Sequence, residues 1–428
     1  MHFTKTLFCL TFAVFTSLLN QNLHAQTWFV HATTVAGGNG SGSAANQFNS
    51  PSGLWVDALF NVYVSDYNNS RIQKWAPGAT SGVEVAGGAT YGNTASTLDG
   101  TTDIYLDASN NLYIVDDNND RVQEWASGAT SGTTVAGTAL GGGPGLGQLN
   151  FPNDVFLDSV ANVYVSDGAN ERVVKWAPGA TVGVVAAGGL GMGATLSHLS
   201  APTGLFIKNN YMYIADYNNS RVLKWAMGDT AGVVVAGGNG AGNAANQLSG
   251  PTGVILDAAG NIYICDAANN RVQMWAPGAS SGVTIAGGYG VGASDSQFNR
   301  PNYIRLDDSM NLYVCDGDNN RVQKFGLSSP ANTGVQNINQ AFSDIGLFPN
   351  PGKGLFYVQG KLDIANAKDL AISITNMKGQ IVYKSNVSIM QGTFHFPISL
   401  GDDIANGIYQ LQLSAGGKIT SLKFTLDR

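Results

Sequence analysis

The sequence is poor in charge and contains almost no long apolar run. Charged residues are 12% of the 428 residues, and the net charge is −7. Phosphate binding needs clustered Lys and Arg, and no such cluster is present, which argues against a nucleic-acid partner. Beyond the N-terminus no apolar stretch is long enough to cross a bilayer, so we expect no transmembrane segment.

The short apolar run from Leu7 to Leu19 lies at the N-terminus. It follows Lys5 and precedes Leu23-His24-Ala25, which is the pattern of a secretory signal peptide. We predict that residues 1–25 are removed by cleavage between Ala25 and Gln26, and that the protein is exported.

Cysteine is also scarce. After the signal peptide only Cys265 and Cys315 remain, at the same place in "IYICDAANN" and "LYVCDGDNN". Equivalent positions of neighbouring repeats usually lie beyond the roughly 7 Å Cα separation that a disulfide allows. Two buried free thiols are therefore favoured over a bridge, and the pair supplies no metal-ligand set.

What the sequence has in abundance is glycine, with 55 copies, and a repeat of 49 to 51 residues. Each copy has an Asp, an Asn three residues later and an Arg five residues later. The triplets are Asp66, Asn69, Arg71; Asp116, Asn119, Arg121; Asp167, Asn170, Arg172; Asp216, Asn219, Arg221; Asp266, Asn269, Arg271; and Asp316, Asn319, Arg321. A Tyr precedes and a Trp or Phe follows each triplet at fixed spacing. Six in-phase copies indicate a closed or stacked repeat array.

Each copy resolves into four short strands. In the first they are "GLWVD", "NVYVSD", "RIQKWA" and "GVEVAGG", rich in Val, Ile, Tyr and Trp and bounded by turn residues. Six such sets predict a six-bladed β-propeller over residues 26–327. The last copy lacks its fourth strand, so we expect "HATTVAGG" near the N-terminus to complete the sixth blade and close the ring.

The motifs "P-x-G", "G-N-x-Y-[IV]-x-D" and "N-x-R-[IV]" resemble those of the NHL-repeat family. The resemblance covers about Trp28 to Phe325 and implies the propeller fold. The second copy departs from the pattern with "DGTTD" where Pro is usual, and the fourth with Ile207-Lys208 where Asp is usual.

The polar turn of each copy has two interpretations. "DDNNDR" and "DGDNNR" resemble the start of a calcium loop, but the Gly at the sixth place and the later Glu are missing. We therefore expect Asp and Asn to cap the turn between the second and third strands, and Arg to tie adjacent blades. A calcium role for one or two copies stays open. The Tyr and Trp series favours inter-blade core over a sugar-stacking platform.

Function is expected where the copies differ, at the start of the strand that lines the central channel. Asp103 and Asp154 should be neighbours on adjacent blades, and Arg305 replaces an apolar residue of the other copies. The candidate ligand-binding residues at the channel mouth are Asp103, Asn153, Asp154, Asn302, Tyr303 and Arg305. Mixed polar groups at a channel mouth suit a ligand, although solvated loop ends would explain them as well.

An enzyme would need several His, Glu or Asp side chains converging on the channel. Beyond the signal peptide the histidines are His31, His198 and His395, none at a repeated inner-strand position. No Ser-His-Asp arrangement or nucleophile elbow is present. We predict no catalytic residue, no metal site and no cofactor, with a hydrolase or lyase acting at the channel mouth as the alternative.

After Phe325 the repeat stops. A polar linker, 328–344, precedes alternating runs that predict a small Ig-like β-sandwich over 345–428. "FPNPGKG", "ITNMKGQIVY" and "NGIYQLQL" resemble the C-terminal sorting domain of the type IX secretion system of Bacteroidota; an ordinary accessory sandwich is the alternative. The resemblance implies export across the outer membrane, and its motif residues are Pro349, Asn350, Pro351, Gly379, Gly407 and Tyr409.

The sequence thus predicts an all-β chain, a six-bladed NHL-like propeller followed by a small sandwich. We expect a monomer, secreted or displayed at the outer-membrane surface, with a non-catalytic binding or scaffold function. Its expected partners are the type IX secretion machinery and an extracellular protein or glycan that the sequence does not identify. A purely structural adhesin component is a further alternative.

Overall fold

The computed structural model of the protein describes residues 27–28, 30–88, 90–137, 141–328, 342–348, 354–362, 369–376, 379–388, 393–401, 403–416 and 418–426. The predicted signal peptide and most of the predicted linker lie outside the described residues. Within the described ranges, no helix combines the length and the apolar character that a membrane crossing needs.

The repeats fold into short strands because runs of Val, Ile, Tyr and Trp alternate with Gly, Asn and Asp turns. The chain begins with β1 (Thr27–Trp28) and β2 (Thr33–Gly37). The first blade has β3 (Pro51–Val56), β4 (Val62–Asp66), β5 (Arg71–Trp75) and β6 (Val83–Gly87). The second has β7 (Thr101–Leu106), β8 (Leu112–Asp116), β9 (Arg121–Trp125) and β10 (Thr133–Ala136). The third has β11 (Pro152–Leu157), β12 (Val163–Asp167), β13 (Arg172–Trp176) and β14 (Val184–Gly188).

The remaining blades follow the same plan. The fourth has β15 (Pro202–Lys208), β16 (Tyr211–Asp216), β17 (Arg221–Ala226) and β18 (Val233–Gly237). The fifth has β19 (Pro251–Leu256), β20 (Ile262–Asp266), β21 (Arg271–Trp275) and β22 (Val283–Gly287). The sixth has β23 (Pro301–Leu306), β24 (Leu312–Asp316) and β25 (Arg321–Phe325), and β26 (Leu327–Ser328) follows it. Each of the six turns between second and third strands is a short 3-10 helix, such as Tyr67–Asn69.

The ring is closed by the N-terminal strand. The sheet of the sixth blade has the order β2-β25-β24-β23, with Thr33 opposite Lys324 and Gly37 opposite Arg321. A second, shorter pairing joins β1 to β26. Each inner strand contacts that of the next blade, and β23 contacts β3. The predicted six-bladed propeller and its closure by "HATTVAGG" are therefore confirmed.

The aromatic series packs between blades, as the sequence predicts. The Tyr of each second strand lies in the same hydrophobic cluster as the Trp or Phe of the following blade. The pairs are Tyr63 with Trp125, Tyr113 with Trp176, Tyr164 with Trp225, Tyr213 with Trp275, Tyr263 with Phe325 and Tyr313 with Trp75. Burying one large ring against another at every blade boundary is a major part of what holds such a ring together.

The two cysteines are buried free thiols, which confirms the prediction. They belong to different hydrophobic clusters, Cys265 to one between the fifth and sixth blades and Cys315 to one between the sixth and first. The Cys265 thiol donates to the backbone carbonyl of Pro301 at 2.9 Å. Burial raises the pKa of Cys265 to about 12, so the thiol is inert at neutral pH.

The C-terminal part forms two facing sheets. Its strands are β27 (Phe342–Phe348), β28 (Leu355–Leu362), β29 (Asp369–Asn376), β30 (Ile381–Ser388), β31 (Thr393–Ser399), β32 (Gly407–Ala415) and β33 (Lys418–Leu426). One sheet has the order β27-β28-β31 and the other β30-β29-β32-β33. Phe356 and Ile398 of the first share a core with Ile374, Leu411 and Phe424 of the second, so the arrangement is a β-sandwich.

Candidate functional site

Both carboxylate oxygens of the repeated Asp accept hydrogen bonds from within the protein. In the first blade, Oδ1 of Asp66 accepts the backbone N–H of Asn49 at 2.7 Å, and Oδ2 accepts from Asn69 and from Arg71 Nε at 2.8 Å each. Burial raises the pKa of Asp66, and these three bonds oppose that rise. The same carboxylate–Arg pair recurs in all six blades at 2.7 or 2.8 Å. The Asp and the Arg of each copy therefore form a buried ion pair within their own blade.

The expected roles of these turn residues need correction. Asp66 makes no side-chain bond that caps the following 3-10 turn, because its oxygens are taken by the connector amide and the Arg. The Arg71 guanidinium donates to the Ala44 and Gln47 carbonyls, which lie in the connector entering its own blade. Arg therefore clamps the connector and does not tie the next blade directly.

In five of the six copies, the residue just before the Arg makes the link to the next blade. Ser70 Oγ accepts the backbone N–H of Gly100 at 3.2 Å, and Asp120 Oδ1 accepts that of Phe151 at 3.0 Å. The acceptors of this type are Ser70, Asp120, Glu171, Asn270 and Asn320. Asp120 and Asn320 belong to the two copies that resemble the start of a calcium loop. In the part of the chain that the structure describes, no group of three or more His, Cys, Asp or Glu is placed to hold a metal ion.

A ring of hydrogen bonds surrounds the channel mouth. At the second residue of every inner strand a hydroxyl or amide donates to a backbone carbonyl at the start of the next blade. Thr203 Oγ1 reaches Pro251 O at 2.9 Å, and Asn302 Nδ2 reaches Pro51 O at 3.1 Å across the closure. The six donors are Ser52, Thr102, Asn153, Thr203, Thr252 and Asn302. Sequence reasoning missed this ring, although the constant presence of a hydroxyl or amide at this position was the signal for it.

The next residue of each inner strand faces the channel, and here the copies differ. The series is Gly53, Asp103, Asp154, Gly204, Gly253 and Tyr303. A Cβ on Gly53 would lie 2.6 Å from the Cα of Asp103, and one on Gly204 would collide with the Thr252 carbonyl. The glycines let neighbouring inner strands approach closely. The three larger side chains fill the channel, with Asp103 and Asp154 each 1% exposed.

Asp103, Asp154 and Tyr303 meet below the mouth, as the sequence predicts for the first two. Oδ2 of Asp154 accepts the Leu205 N–H at 2.7 Å and the Tyr303 hydroxyl at 2.9 Å. The Asp103 carboxyl lies close enough to Asp154 for the two charges to repel each other. Both oxygens of Asp103 and Oδ1 of Asp154 have no hydrogen-bond partner among the described residues.

The pKa values of this pair follow from its burial. Burial raises the pKa of Asp103 well above its ordinary value, the Asp154 charge raises it further, and the Arg305 charge opposes the rise. Burial raises the pKa of Asp154 to about 6, against the hydrogen bonds from Leu205 and Tyr303. Burial and mutual repulsion therefore make this pair hold a proton more readily than two exposed carboxyls would.

A pocket of about 240 Å³ opens above this pair. Asn153, Asp154, Asn302 and Tyr303 line it together with ring hydroxyls, so four of the six candidate residues lie around one cavity. Tyr67 is also part of its wall and donates to Oδ2 of Asp117 at 3.2 Å. Burial raises the pKa of Asp117 to about 7, and this carboxyl contacts the wall through Tyr67 without lining the pocket itself.

Arg305 lies outside this pocket. Its guanidinium carbon is 3.8 Å from the centre of the Trp55 ring, and its Nε and Nη2 have no hydrogen-bond partner within the described ranges. Trp55, Tyr105, Phe156 and Phe206 contact one another in series, with ring centres 4.5, 5.2 and 5.2 Å apart. Arg305 thus continues the series of aromatic side chains around the channel and does not lie at the mouth. Its position is two residues further along the inner strand than Tyr303, so it is on the same face but deeper in the channel.

The structure also locates three of the six sorting-motif residues. Gly379 turns the chain between β29 and β30 with φ +79°, and its N–H donates to the Asn376 carbonyl at 2.9 Å. Gly407 begins β32. Tyr409 is buried in the sandwich core and donates to the Ala405 carbonyl at 2.5 Å. Pro349, Asn350 and Pro351 lie outside the described residues.

Residues 346–427 match the model of one protein family, described as the secretion system C-terminal sorting domain. The chain carries a type IX sorting domain. Because this domain directs proteins through type IX secretion, the protein is exported to the cell surface or the medium. A comparison with curated proteins found no match.

Three solved structures are similar to the chain. A Bacteroides thetaiotaomicron protein of unknown function is 16% identical, with TM-score 0.55, and the match covers 70% of this chain and 76% of that protein. A putative gluconolactonase is 14% identical, with TM-score 0.48, and the match covers 70% of this chain and 92% of that protein. PorZ of Porphyromonas gingivalis, described as a surface component of the type IX secretion system, is 12% identical, with TM-score 0.42, and the match covers 92% of this chain and 54% of that protein. At 16% identity, the first likeness supports the fold alone.

Proposed function

We propose that this exported propeller is a non-catalytic binding protein whose ligand site is the pocket at the channel mouth. The observation that carries the proposal is the departure from glycine at three of six equivalent positions. Two of these departures, Asp154 and Tyr303, line one cavity and are hydrogen-bonded to each other. Asp103 lies close to Asp154 behind that wall, and buried carboxyl oxygens of the pair have no partner within the described ranges. An unsatisfied buried polar group destabilises a fold, so its presence in a cleft supports a functional role.

The side chains around the pocket favour binding over catalysis. A pair of neighbouring carboxyl groups can act as an acid and a base, but no described histidine lies with it. His31 pairs with Asp295 at 2.8 Å, His198 bonds to Thr195 at 2.7 Å, and His395 belongs to the sorting domain. The ring hydroxyls donate to backbone carbonyls and not to a base that would activate them as nucleophiles.

An array of glycans and peptides, probed with the labelled mature chain, tests the proposal. Thr252→Trp places a large ring in the pocket wall regardless of ligand chemistry, whereas Val233→Trp makes a bulky substitution on an exposed outer strand. We expect the wild type and Val233→Trp to bind at least one ligand class, and Thr252→Trp to bind it about tenfold or more weakly. Binding that survives Thr252→Trp unchanged, or no binding across the array, would contradict the proposal.

A further inference from the structure

We propose that the channel-mouth pocket binds a primary ammonium group, such as that of a lysine side chain or an amino sugar. The inference rests on the proposed function and specifies the ligand class for the same pocket. Three features carry it: the hydrogen-bonding character of the wall, the carboxyl groups at its inner end, and the pocket size.

The wall offers hydrogen-bond acceptors and few donors. The hydroxyls of Ser52, Thr102, Thr203 and Thr252 each donate their hydrogen to a neighbouring backbone carbonyl. A hydroxyl has one hydrogen and two lone pairs, so these groups can only accept from a ligand. Asn153 likewise directs its amide N–H groups to the Phe151 and Pro202 carbonyls. A ligand must therefore bring donors of its own.

The inner end of the pocket is acidic. Asp154 lines it, is 1% exposed, and keeps Oδ1 free of any partner in the described part of the chain. Asp103 contacts Asp154 from the neighbouring blade. The other groups facing the pair are Tyr303, which donates to Asp154, and Arg305, whose charge partly offsets theirs. Asp117 accepts the hydroxyl hydrogen of Tyr67, another wall residue, and does not itself line the pocket.

A primary ammonium fits these surroundings better than the other cations. It has three donors and one charge, which match a free carboxylate oxygen and neighbouring hydroxyl lone pairs. A divalent ion would need six or more oxygen ligands with several carboxylates, whereas Asp154 is the one carboxylate among the residues that line this pocket. The cavity of about 240 Å³ lies below the roughly 300 Å³ where pockets for drug-sized ligands begin, so it suits one side chain or one sugar.

Binding should depend on pH. A primary ammonium is attracted by the ionised form of Asp154, so protonation of that carboxyl should weaken binding. Since the pKa of Asp154 lies at about 6, we expect affinity to be about tenfold higher at about pH 8 than at about pH 5.

Calorimetric titration of the full mature chain tests the proposal. The amine probes are Nα-acetyl-lysine methylamide and glucosamine, which separate a peptide source from a sugar source. Nα-acetyl-norleucine methylamide is the neutral control, and calcium and magnesium chloride are the metal arms. Variants Asp154→Asn and Asp229→Asn remove the same charge, one in the pocket and one on an exposed turn. Asp154→Asn leaves Asp117 in place, so it separates the two acidic groups.

We expect at least one amine to bind the wild type and Asp229→Asn at neutral pH, and to bind Asp154→Asn about tenfold or more weakly. Norleucine binding as tight as the amine, binding of a divalent ion in place of the amine, or no amine binding at all would overturn the inference. Mouth-dependent array binding by ligands without an amine would leave the proposed function standing and remove only this inference. Because the neutral-ligand comparison uses the wild type alone, the test does not depend on the variants folding.

Discussion

At the scale of single residues, the repeat itself is the reference against which each side chain is judged. Gly53, Gly204 and Gly253 show what the channel position needs for packing, namely the absence of a side chain where inner strands approach closely. Asp103 and Asp154 depart from it and bring buried carboxyls with free oxygens. Because the other blades fold without these groups, packing alone does not require them.

The carboxyl pair makes stability depend on pH in a defined direction. A carboxyl whose pKa is raised in the folded state stabilises the fold while protonated, below its unfolded pKa of about 4, and that stability is lost as the pH rises through the folded value. The relevant window runs from about 4 to at least the Asp154 value of about 6. The double variant Asp103→Asn/Asp154→Asn has no carboxyl group at these positions, so it should not lose stability over this pH window. We expect the double variant to gain on the order of 2 kcal/mol relative to wild type between about pH 4 and about pH 8.

Urea unfolding of both proteins across this pH range measures the effect. Asp229→Asn, on an exposed turn, controls for net charge and should run parallel to the wild type. Parallel curves for the double variant as well would show that the pair is not desolvated as described.

At the scale of elements, the connectors between blades are held by a repeated clamp. In the third blade, Arg172 of β13 donates to Asp167 at 2.7 Å and to the carbonyls of Pro144, Gly145 and Gln148 at 2.8 to 3.0 Å. Both charged side chains are nearly inaccessible, at 6% and 0% exposed. An irregular, glycine-rich segment thereby obtains hydrogen-bond partners for carbonyls that would otherwise be left without them.

Removing the clamp should be costly. Arg172→Met leaves the Asp167 carboxylate buried without its counter-charge, and we expect a loss of about 3–5 kcal/mol in the free energy of unfolding. Lys175→Met on the same strand removes a half-buried charge that lies 5.8 Å from the Tyr164 ring and should lose about 1 kcal/mol or less. Urea denaturation of the two variants compares them directly, and equal losses would argue against the clamp.

The elements that sequence reasoning predicts well are those fixed by repetition. Strand runs, the inter-blade Tyr and Trp pairs and the closing role of β2 follow from spacing, because a period of one blade leaves few topologies. The adjacency of Asp103 and Asp154 follows for the same reason. The roles of Arg172 and Ser70 do not, since the choice between bonding the connector and bonding the next blade depends on the path of the connector. Arg305 was placed with the mouth because the sequence does not show how far two residues of strand descend into the channel.

At the scale of the whole molecule, the propeller depends on one junction that is not continuous in sequence. Blades one to five each form from a single stretch of chain, whereas the sixth is completed by β2. The side-chain hydrogen bond from Thr34 to Gln323, for example, joins residues that are 289 positions apart in the sequence. The hydrogen-bond ring at the mouth crosses the same junction through Asn302 and Pro51. Since every inner strand contacts two neighbours, a distortion at this junction should be transmitted to the inner strands that form the candidate site.

Gly37, at the end of β2, offers a test of the closure. It has φ +68°, and a Cβ there would collide with the Phe48 ring and lie 2.5 Å from the Asn320 carbonyl. Gly40 has a similar φ of +79° but open space around it. Gly40→Ala should therefore cost only the left-handed backbone penalty of about 1–2 kcal/mol, while Gly37→Ala adds an overpacking cost of about 1–3 kcal/mol. If the ring closes through β2, Gly37→Ala should also speed proteolysis of the N-terminal segment and hydrogen exchange along both β2 and β25, whereas Gly40→Ala should leave both rates near wild type. Equal stability and equal exchange in the two variants would mean that β2 does not hold the sixth blade.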